Sequence, residues 1–463
     1  MVEPANGSLI RLLGPTVLRA RMSDSDGISS VRFYSGSDLV GYATAVASNE
    51  FVLPWTAARN GNYSFHALAT DSKGATGKTA TVWVSVATNP PSFSVVELEV
   101  APPDTGFDPW AINNRGTVVG AIGTHAAWWK DWDYGTIAVF GKTAIALAIN
   151  DDGLIVGDFV QIQNQVSIIY QPFLVTVDLS VMQLPGLSYG RASAVSRFGI
   201  VGVAQTTNAP GSVGFRYDTT NYTFFNGQPS DINDAGVIVG ASLTPSGETF
   251  IYGGDETKVL PGAGASAVNR RGQIVGTAGT NAFLYDQGTM SSMGTLGNSH
   301  VALDINNDGV GVGYMTRGTL SPFSAFVFHD GVMIELNRLI PPTSGWFLHM
   351  ARSINDRGWI IGRGSRTGDG IFFQGTGPRG FLLVPGSFLR ISQVSPSALQ
   401  LKAYFADGQG VIESSKDLVQ WQATATNANG TAEMSLSLNM DAGSAATFYR
   451  VQPLAPRLTG QSR

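Results

Sequence analysis

The sequence contains no cysteine, which excludes disulfide bonds, zinc–thiolate sites and cysteine nucleophiles together. Charged residues are scarce, at 14% against about 25% in typical domains. The formal net charge is −5, so the basic patch expected of a nucleic-acid-binding protein is missing. No apolar run approaches the ~20 residues of a membrane span. We therefore expect that the protein does not bind nucleic acid and has no membrane span.

The absent cysteines leave the compartment open, because exported proteins need not carry disulfides. The stretch from Leu9 to Leu18 is interrupted by Arg11, Gly14 and Pro15 and has no cleavage site behind it, so it is not a signal peptide. Met1 falls almost at a domain edge. We expect any export signal to lie upstream of this sequence.

Glycine is abundant, at 56 of 463 residues. Together with many Val, Ile and Thr residues, it indicates an all-β protein with many tight turns. A disordered chain would be richer in charge and poorer in aromatic residues. A long helical or coiled-coil protein would be rich in Ala, Glu, Lys and Arg.

An internal repeat organises the middle of the chain. Each copy has a small or acidic residue, Ile or Val, Asn or Ser, two further residues, Gly, and then an apolar run that ends in a second Gly. The seven copies begin at Ala111, Ala148, Ala194, Asp231, Ala267, Asp304 and Ser353.

The repeated segment has the chemistry of a tight hairpin turn. Asn or Ser at the first position and Gly at the fourth are preferences of a type I turn, and Gly accepts positive φ without steric cost. The turn glycines are Gly116, Gly153, Gly199, Gly236, Gly272, Gly309 and Gly358. The second glycine of each copy, from Gly120 to Gly362, lies inside a predicted strand. We expect it to mark a contact between blades or at the axis.

Each copy continues with a third and a fourth apolar segment, such as 126–129 and 137–140 in the first copy. Four short strands in about 37 residues are typical of a β-propeller blade, so seven copies predict a seven-bladed β-propeller. The last copy lacks a fourth strand, and an unassigned strand at 95–98 precedes the first. We predict that this N-terminal strand pairs with residues 380–384 and closes the ring.

The segment Met-Ser-Ser-Met-Gly-Thr-Leu-Gly at 290–297, followed by Asp-Ile-Asn-Asn-Asp-Gly at 304–309, resembles the HAF repeat family of bacterial extracellular repeats. The resemblance covers residues 93–385 and implies an exported bacterial protein, without an assigned chemistry. The third copy departs from the pattern, since it has Ser196 in place of Asn and one residue fewer before Gly202.

Two β-rich segments flank the repeats. Residues 1–89 alternate like a β-sandwich, and Val-Arg-Phe-Tyr at 31–34 with Ala-Leu-Ala-Thr-Asp at 67–71 resembles a bacterial Ig-like domain. Residues 90–92 are the predicted linker. Residues 386–453 resemble a small C-terminal sandwich of exported proteins from Verrucomicrobia-like bacteria, through the segments at 413–421 and 448–451. We expect residues 454–463 to be a disordered tail.

No catalytic motif is recognisable. The five histidines include no His-x-x-x-His pair. The Gly-Lys-Thr motifs at 77–79 and 141–143 lack the upstream glycine of a phosphate loop, and the glycine pattern at 375–380 leads into a strand instead of a helix. Gly-x-Ser-x-Gly and Ser-x-x-Lys are absent. We predict no catalytic residue and no cofactor.

The turn at Asp304 resembles the first half of a calcium loop. Its twelfth position is Met315, where a bidentate Glu is required. We therefore predict no metal site, with weak calcium binding at the second, fourth and sixth copies as the alternative. We expect Asp231 and Asp304 to be hydrogen-bonded residues of inner strands, and a role as catalytic acids is the alternative.

Loop lengths suggest where a ligand would bind. The turns inside the repeat motif are uniform, whereas loops on the opposite face vary, at 159–171, 205–213, 315–324, 363–379 and 337–351. Function concentrates in variable loops on rigid scaffolds. We predict a ligand-binding face there, with an exposed aromatic near Trp346 and a ring formed by Trp346, His349, Tyr189, Arg191, Tyr314, Arg317, Arg366 and Asp369. The alternative is that these aromatic residues only cover the ends of the blades.

These observations favour a non-catalytic, exported, modular binding or adhesion protein. Its propeller would present a loop face to a glycan or a protein outside the cell or at its surface, and we expect a monomer. The alternative is a polysaccharide-active propeller enzyme, a hydrolase or a lyase, which would need two carboxylates across the channel. A purely structural component of a surface array is a third possibility.

Overall fold

The computed structural model describes the chain with fourteen short gaps or ends left out. The described residues are 1–101, 106–163, 167–187, 189–205, 212–242, 248–253, 256–316, 318, 323–369, 379–395, 398–416, 418–427, 431–439 and 447–453. These residues contain β-strands, two short 3-10 helices at Leu336–Arg338 and Pro342–Ser344, and no α-helix. The all-β prediction is confirmed.

The N-terminal domain is built from nine strands. They are β1 (Ser8–Arg11), β2 (Thr16–Arg21), β3 (Ile28–Ser35), β4 (Asp38–Tyr42), β5 (Thr44–Ala47), β6 (Glu50–Trp55), β7 (Gly61–Asp71), β8 (Thr76–Lys78) and β9 (Val82–Ala87). One sheet has the order β1-β9-β7-β3-β4, with β8 beside β7, and the other has the order β2-β6-β5. Alternate side chains such as Phe33 and Phe65 are fully buried, as expected of strands with one face on a core.

Within the described residues, the repeat region forms seven four-stranded antiparallel sheets, here called repeat sheets 1 to 7. Their strands are β10 (Phe93–Glu97), β11 (Phe107–Ile112), β12 (Val118–Ile122), β13 (His125–Lys130), β14 (Asp133–Thr136), β15 (Ala144–Ile149), β16 (Ile155–Gln163), β17 (Ser167–Val175), β18 (Val181–Gln183), β19 (Tyr189–Ser196), β20 (Gly199–Gln205), β21 (Ser212–Tyr217), β22 (Tyr222–Phe225), β23 (Gln228–Ile232), β24 (Ile238–Ala241), β25 (Thr249–Gly253), β26 (Glu256–Leu260), β27 (Ala263–Val268), β28 (Ile274–Ala278), β29 (Asn281–Asp286), β30 (Thr289–Ser292), β31 (Ser299–Ile305), β32 (Gly311–Thr316), β33 (Ser324–His329), β34 (Val332–Glu335), β35 (Trp346–Ile354), β36 (Ile360–Arg366) and β37 (Arg379–Pro385).

Repeat sheets 1 to 6 each take four consecutive strands, from β11–β14 to β31–β34. Repeat sheet 7 has the order β10-β37-β36-β35, so its fourth strand comes from the start of the region. Val95 lies opposite Leu383 and Glu97 opposite Phe381, which is the antiparallel pairing predicted from residues 95–98. Both strands are almost wholly buried, so this pairing also joins two apolar surfaces.

Successive repeat sheets pack face to face. The second strand of each sheet contacts the first strand of the next, and β36 of repeat sheet 7 contacts β11 of repeat sheet 1. Between the sheets lie fully buried aromatic side chains of the third strands, including Phe173, Phe215, Phe326 and Phe381. The apolar core is therefore divided into a series of layers between neighbouring sheets.

The repeated turns have one geometry in six copies. The side-chain Oδ1 of Asn113 accepts hydrogen bonds from the backbone N–H groups of Arg115 and Thr117. The turn glycine then takes the positive φ that the pattern predicts, between 73° and 91° in those six copies. In the third copy the turn is shorter, and Gly199 has a φ of 137°.

The second glycine of each copy has a different role from the predicted one. A Cβ on Gly120, Gly240 or Gly276 would lie about 2 Å from a backbone carbonyl oxygen of the first strand in the same sheet. The first strand bulges at this level, between Pro109 and Ala111 in repeat sheet 1. The close approach is thus within each sheet, at a β-bulge, and the expectation of a contact between blades was wrong.

The fourth strand of repeat sheet 1 also lies elsewhere than predicted. It is β14, and residues 137–140 follow it. Asp131 and Trp132 both have positive φ, so they form a two-residue hairpin turn. Strand β14 therefore begins directly after this turn, before residues 137–140. Ile137 and Val139 are then buried after the strand ends.

The C-terminal domain is a pair of three-stranded sheets. Its strands are β38 (Phe388–Ser395), β39 (Ala398–Tyr404), β40 (Gly410–Ser415), β41 (Gln422–Asn427), β42 (Glu433–Asn439) and β43 (Phe448–Pro453). The sheet orders are β38-β39-β42 and β41-β40-β43. Phe388 stacks on Tyr404 and lies near Trp132 of repeat sheet 1, so this domain covers an outer edge of the repeat region.

The N-terminal domain covers the outer edge of repeat sheet 6. The amide of Asn62 pairs with the peptide of Met333, donating to its carbonyl at 2.7 Å and accepting from its N–H at 3.0 Å. Ser85 donates to the same carbonyl, and Arg338 donates to Gly7. Strand β34 is fully buried, whereas the corresponding strand β30 of repeat sheet 5 is exposed.

Candidate functional site

Trp346, the centre of the predicted ligand face, is not an exposed platform. It begins strand β35, is only 9% exposed, and packs edge-on against Phe381 with ring centroids 6.2 Å apart. The guanidinium of Arg366 lies 5.5 Å from its ring centroid. The indole is therefore a packing residue between strands, and the prediction of an exposed aromatic at this position was wrong.

Arg366 and Asp369 belong to an ion-pair network beside Trp346. Asp369 accepts hydrogen bonds from the side chain of Arg379 at 2.8 Å and from the backbone N–H of Arg366. Arg379 also reaches Glu97 of β10 at 2.6 Å. Its guanidinium holds the pKa of the Asp369 carboxyl below its usual range. The network ties β10 to the loop after β36.

His349 and Tyr314 lie in a second group. The ring nitrogens of His349 contact the carbonyl of Phe323 at 3.3 Å and the hydroxyl of Ser365 at 2.9 Å. Burial lowers the pKa of His349, so its ring is neutral near pH 7. Tyr314 packs against Phe323 with ring centroids 5.0 Å apart. His349 therefore connects β35 with Phe323, just before β33, and with Ser365 of β36.

Tyr189 and Arg191 are two residues apart at the start of β19. The Nε of Arg191 is 2.7 Å from Asp158 Oδ2 in the neighbouring sheet, and its guanidinium lies 4.9 Å from the ring centroid of Tyr170. Arg317 falls outside the described residues. The structure thus distributes the described members of the predicted ring over separate groups, and Arg191 borders a cavity of about 360 Å³.

A groove of about 390 Å³ opens at the loop-side ends of repeat sheets 1 and 2. Its chemically active lining side chains are Asp108, Asp158, Tyr170 and Arg363. Asp108 accepts from Arg352 at 2.8 Å and lies 2.6 Å from the Nε of Arg363. We call this cavity the loop-side groove.

Asp158 is the most perturbed group of the loop-side groove. Burial raises the pKa of this carboxyl to about 6, although the ion pair with Arg191 and a hydrogen bond from the Ala192 N–H oppose the rise. Its carboxyl therefore changes charge close to physiological pH. The Asp158 carboxyl accepts hydrogen bonds when it is ionised, and it can also donate one when it is protonated.

No sequence motif marks the residues of the loop-side groove, but an alignment of the seven copies identifies two of them, Asp158 and Arg363. The position after the second glycine is Ala121, Asp158, Val203, Ala241, Thr277, Tyr314 and Arg363 in the seven copies. Two charged side chains at a strand position that is uncharged in the other five copies are a signal for function. Asp108 and Tyr170 carry no comparable signal.

A second cavity, of about 300 Å³, opens on the opposite face, among the repeated turns. Its wall carries an amide ladder, in which the Nδ2 of five of the six turn Asn residues donates to the backbone carbonyl of the Asn in the next copy. The observed steps are 113 to 150, 233 to 269, 269 to 306, 306 to 355 and 355 to 113. We call this cavity the turn-side cavity.

The inner-strand carboxylates Asp231 and Asp304 also border the turn-side cavity. Asp231 accepts from the N–H of Val268 in the next sheet, and Asp304 accepts from Ser353 and the N–H of Ile354. Burial raises the pKa of Asp304 to about 7, and repulsion from Asp231 adds to the rise. Both join neighbouring sheets through hydrogen bonds.

Among the described residues, three carboxylates whose oxygens lie within 4.8 Å of one another occur at Asp24, Asp26 and Asp71. Lys73 pairs with Asp26 at 2.9 Å, and Asp71 caps the N–H groups of Lys73 and Ala75, so this cluster is a stabilised turn. The Met315 side chain, at the position of the missing calcium ligand, lies fully buried in an apolar layer.

No helix in the described part of the chain is both long and apolar enough to cross a membrane.

Comparison with known proteins identifies the N-terminal domain. Residues 1–67 match the family model of the bacterial Ig domain. No curated protein matches the chain.

Three solved structures resemble parts of the molecule. Fibronectin(III)-like modules of Clostridium thermocellum CbhA are 23% identical, with a TM-score of 0.18, over 19% of this chain and 93% of theirs. The β-propeller domain of the Trilobed protease from Pyrococcus furiosus, described as having an open velcro topology, is 10% identical, with a TM-score of 0.34, over 67% of this chain and 97% of its own. Bacteroides ovatus SGBP-B, in complex with a mixed-linkage heptasaccharide, is 11% identical, with a TM-score of 0.17, over 97% of this chain and 96% of its own.

Proposed function

We propose that this chain is an exported, non-catalytic binding protein whose repeat region is a seven-bladed β-propeller of the HAF type. The strand β10, which completes repeat sheet 7, supports closure of the ring. The hydrogen bond from Asn355 to Asn113, which joins the last copy to the first, supports it as well. The resemblance of the repeats to bacterial extracellular repeats supports a location outside the cell or at its surface.

The ligand is a glycan, and it binds in the loop-side groove. The observation that carries this proposal is the lining of the groove, where an aromatic ring at Tyr170 is surrounded by charged groups that are already paired with one another. Sugar hydroxyls both donate and accept hydrogen bonds, so they suit a site of paired Asp and Arg side chains. The apolar face of a sugar suits the tyrosine ring.

Glycan-array binding with variants tests the proposal. Tyr170→Ala should weaken binding of the best array ligand about tenfold, because the aromatic contact is lost. Tyr42→Ala, at a 65% exposed tyrosine of the N-terminal domain, is the matched control and should leave binding unchanged. Equal binding by wild type and Tyr170→Ala would exclude the groove as the site.

One observation favours a second candidate, a polysaccharide-active enzyme. Asp158, whose pKa is raised to about 6, shares the groove with the second carboxylate Asp108, and a general acid needs a raised pKa of this kind. Incubation of the best ligand with the protein, followed by mass spectrometry, separates the candidates. Cleavage by wild type that disappears in Asp158→Asn would replace the binding function with catalysis.

A further inference from the structure

A second cavity adjoins the loop-side groove across the ion pair of Asp158 and Arg191. Asp158 lines the groove, and Arg191 lines the cavity. This cavity has a volume of about 360 Å³, and its lining includes Trp110, Ser193 and Gln228, so we call it the Trp110 cavity. The two charged groups are 2.7 Å apart, and the same ion pair therefore stands at the boundary of both spaces. A chain-like ligand that occupied both would lie against Arg191.

The accessible part of this ion pair is the guanidinium. The side chain of Arg191 is 48% exposed, whereas that of Asp158 is 1% exposed. The Nε of Arg191 is bound to Asp158 Oδ2, and its side chain makes no other hydrogen bond within the described residues. An arginine carries five N–H donors in a planar fork, so donors remain for an anionic group of a ligand.

The charges around the two spaces do not balance. Arg352 and Arg363 both pair with the single carboxylate of Asp108, at 2.8 Å and 2.6 Å. Burial lowers the pKa of Arg352 to about 10, and repulsion from Arg363 adds to the fall. With Arg191 and Asp158, the described residues that line or pair across the groove and the Trp110 cavity contribute three guanidinium groups and two carboxylates. An anionic ligand would neutralise the positive charge in excess.

The turn-side cavity does not compete for an anion. Its lining includes two arginines, Arg270 and Arg352, and five aspartates, at 151, 231, 234, 304 and 356. Arg270 is paired with Asp234 at 2.6 Å, and Arg352 is already shared with Asp108. Even with Asp231 and Asp304 protonated, three carboxylates oppose two guanidinium groups there. An acidic chain is therefore favoured on the loop side alone.

Aromatic rings on both sides of Arg191 suit sugar rings. Tyr170 lines the groove, with its ring centroid 4.9 Å from the Arg191 guanidinium. Trp110 is half-buried and lines the neighbouring cavity. The apolar face of a sugar can pack on each ring, while Ser193 and Gln228 offer partners for its hydroxyls. Sugar units on Tyr170 and Trp110 would place a charged substituent of the chain near Arg191.

We propose that the ligand is an acidic glycan that occupies the loop-side groove and the Trp110 cavity, with one of its anionic groups, a carboxylate or a sulfate, held by Arg191. This inference rests on the glycan-binding function proposed above and specifies the chemical class of the glycan.

Isothermal titration calorimetry with defined oligosaccharides tests the class of ligand. Oligogalacturonate and oligomannuronate carry carboxylates, oligosaccharides of κ-carrageenan carry sulfates, and cellohexaose and mannohexaose are neutral. We expect at least one acidic chain to bind at least about tenfold more tightly than every neutral one. Its affinity should fall between about 50 mM and about 500 mM NaCl, because salt screens the charges. For a uronate that binds, its methyl ester is the matched neutral chain and should bind more weakly.

Two failures can be told apart. Neutral chains that bind as tightly as every acidic one would overturn this inference and leave the glycan-binding function in place. If no glycan of either kind binds, the glycan-binding function is wrong and this inference fails with it.

Gln228→Glu tests the placement without disturbing an ion pair. The side chain is exposed and lines the Trp110 cavity, so the variant adds a negative charge to the site. Binding of the acidic chain should weaken about fivefold or more, while Tm stays unchanged. Gln422→Glu makes the same change at an exposed glutamine of the C-terminal domain, and it is the matched control that should bind like wild type. Equal binding by Gln228→Glu and Gln422→Glu would contradict the proposed site.

Arg191→Gln tests the anion-binding residue itself. It should weaken binding of the acidic chain about tenfold or more and change binding of the methyl ester little. Because Asp158 would lose its ion-pair partner, the double variant Arg191→Gln with Asp158→Asn is measured beside it and should show the same loss. Wild-type affinity for the acidic chain in the double variant would overturn the role of Arg191, whatever the stability of the single variant.

Discussion

At the scale of single residues, glycine has two separate tasks in each repeat. Gly272 has a φ of +78°, and a Cβ there would meet nothing within 4 Å. Gly276, four residues later, lies in a strand, and its Cβ would be 2.0 Å from the carbonyl oxygen of Gly264. Glycine is required at position 272 because the backbone has a positive φ there. It is required at position 276 because a Cβ would collide with the carbonyl oxygen of Gly264.

The two tasks predict different costs of substitution. Gly272→Ala should lower the free energy of unfolding by about 1 kcal/mol, from left-handed strain alone. Gly276→Ala should lower it by at least about 3 kcal/mol, because the two strands must separate. Urea denaturation of both variants measures the difference, and equal losses would contradict this division of roles.

Asp304 predicts a pH dependence of stability. Its pKa rises from 3.8 to about 7 on folding, so the folded protein holds a proton that the unfolded chain releases, and this contribution to stability is lost as the pH rises through that window. Asn imitates the protonated carboxyl. The stability of Asp304→Asn relative to wild type should therefore increase between pH 4 and pH 7, by up to about 1.4 kcal/mol per pH unit.

Denaturation of both proteins at several pH values checks this prediction. The difference between the two curves removes the contributions of His300 and His349, whose pKa values burial lowers, and of Asp158, whose pKa is raised. A difference that is constant across the range would mean that Asp304 is ionised in the folded protein at low pH.

At the scale of elements, the sequence predicted strands and turns well and side-chain exposure poorly. The periodic turns identify seven copies because local chemistry determines a hairpin. Trp346 was misjudged because its burial depends on Phe381 and Arg366, which come from other strands of the same sheet. The loop-side groove combines Asp108 with Arg363, 255 residues away, and no local pattern reports that contact.

Strand β10 is the element on which repeat sheet 7 depends. A chain of residues 90–463 retains it, and a chain of residues 99–463 lacks it, while both lack the N-terminal domain. We expect the shorter chain to have a Tm several degrees lower, because a ladder is lost and the buried edge of β37 becomes exposed.

Differential scanning calorimetry and size-exclusion chromatography compare the two truncated chains. The exposed edge should also cause the shorter chain to self-associate. If both chains melt at the same temperature and remain monomeric, β10 contributes nothing to the stability of the repeat region.

At the scale of the whole molecule, the flanking domains are docked against the repeat region. The Asn62 amide imitates a strand peptide in its pairing with Met333, and Arg338 donates to the backbone of Gly7. The bacterial Ig domain therefore docks against β34, the outer strand of repeat sheet 6, through side-chain hydrogen bonds to its backbone.

Asn62→Ala should loosen this docking. The N–H of Met333 would lose its partner, whereas its carbonyl would keep Ser85, so the expected cost is about 1–3 kcal/mol at the interface. Hydrogen exchange should become faster at Met333, while the amides of the exposed strand β30 serve as the internal control. Unchanged exchange at Met333 would show that the apolar contacts alone hold the domain.

The pairing of β10 with β37 also has a consequence for biosynthesis. Ser94 donates to the carbonyl of Gly386, 292 residues later. Strand β10 therefore cannot form this pairing until β37 has been synthesised. At a synthesis rate of about 5–20 residues per second, that wait is roughly 15–60 seconds. During this time β10 is an unpaired apolar strand attached to a bacterial Ig domain that is already complete, which makes it the segment of the nascent chain that we expect to mispair first.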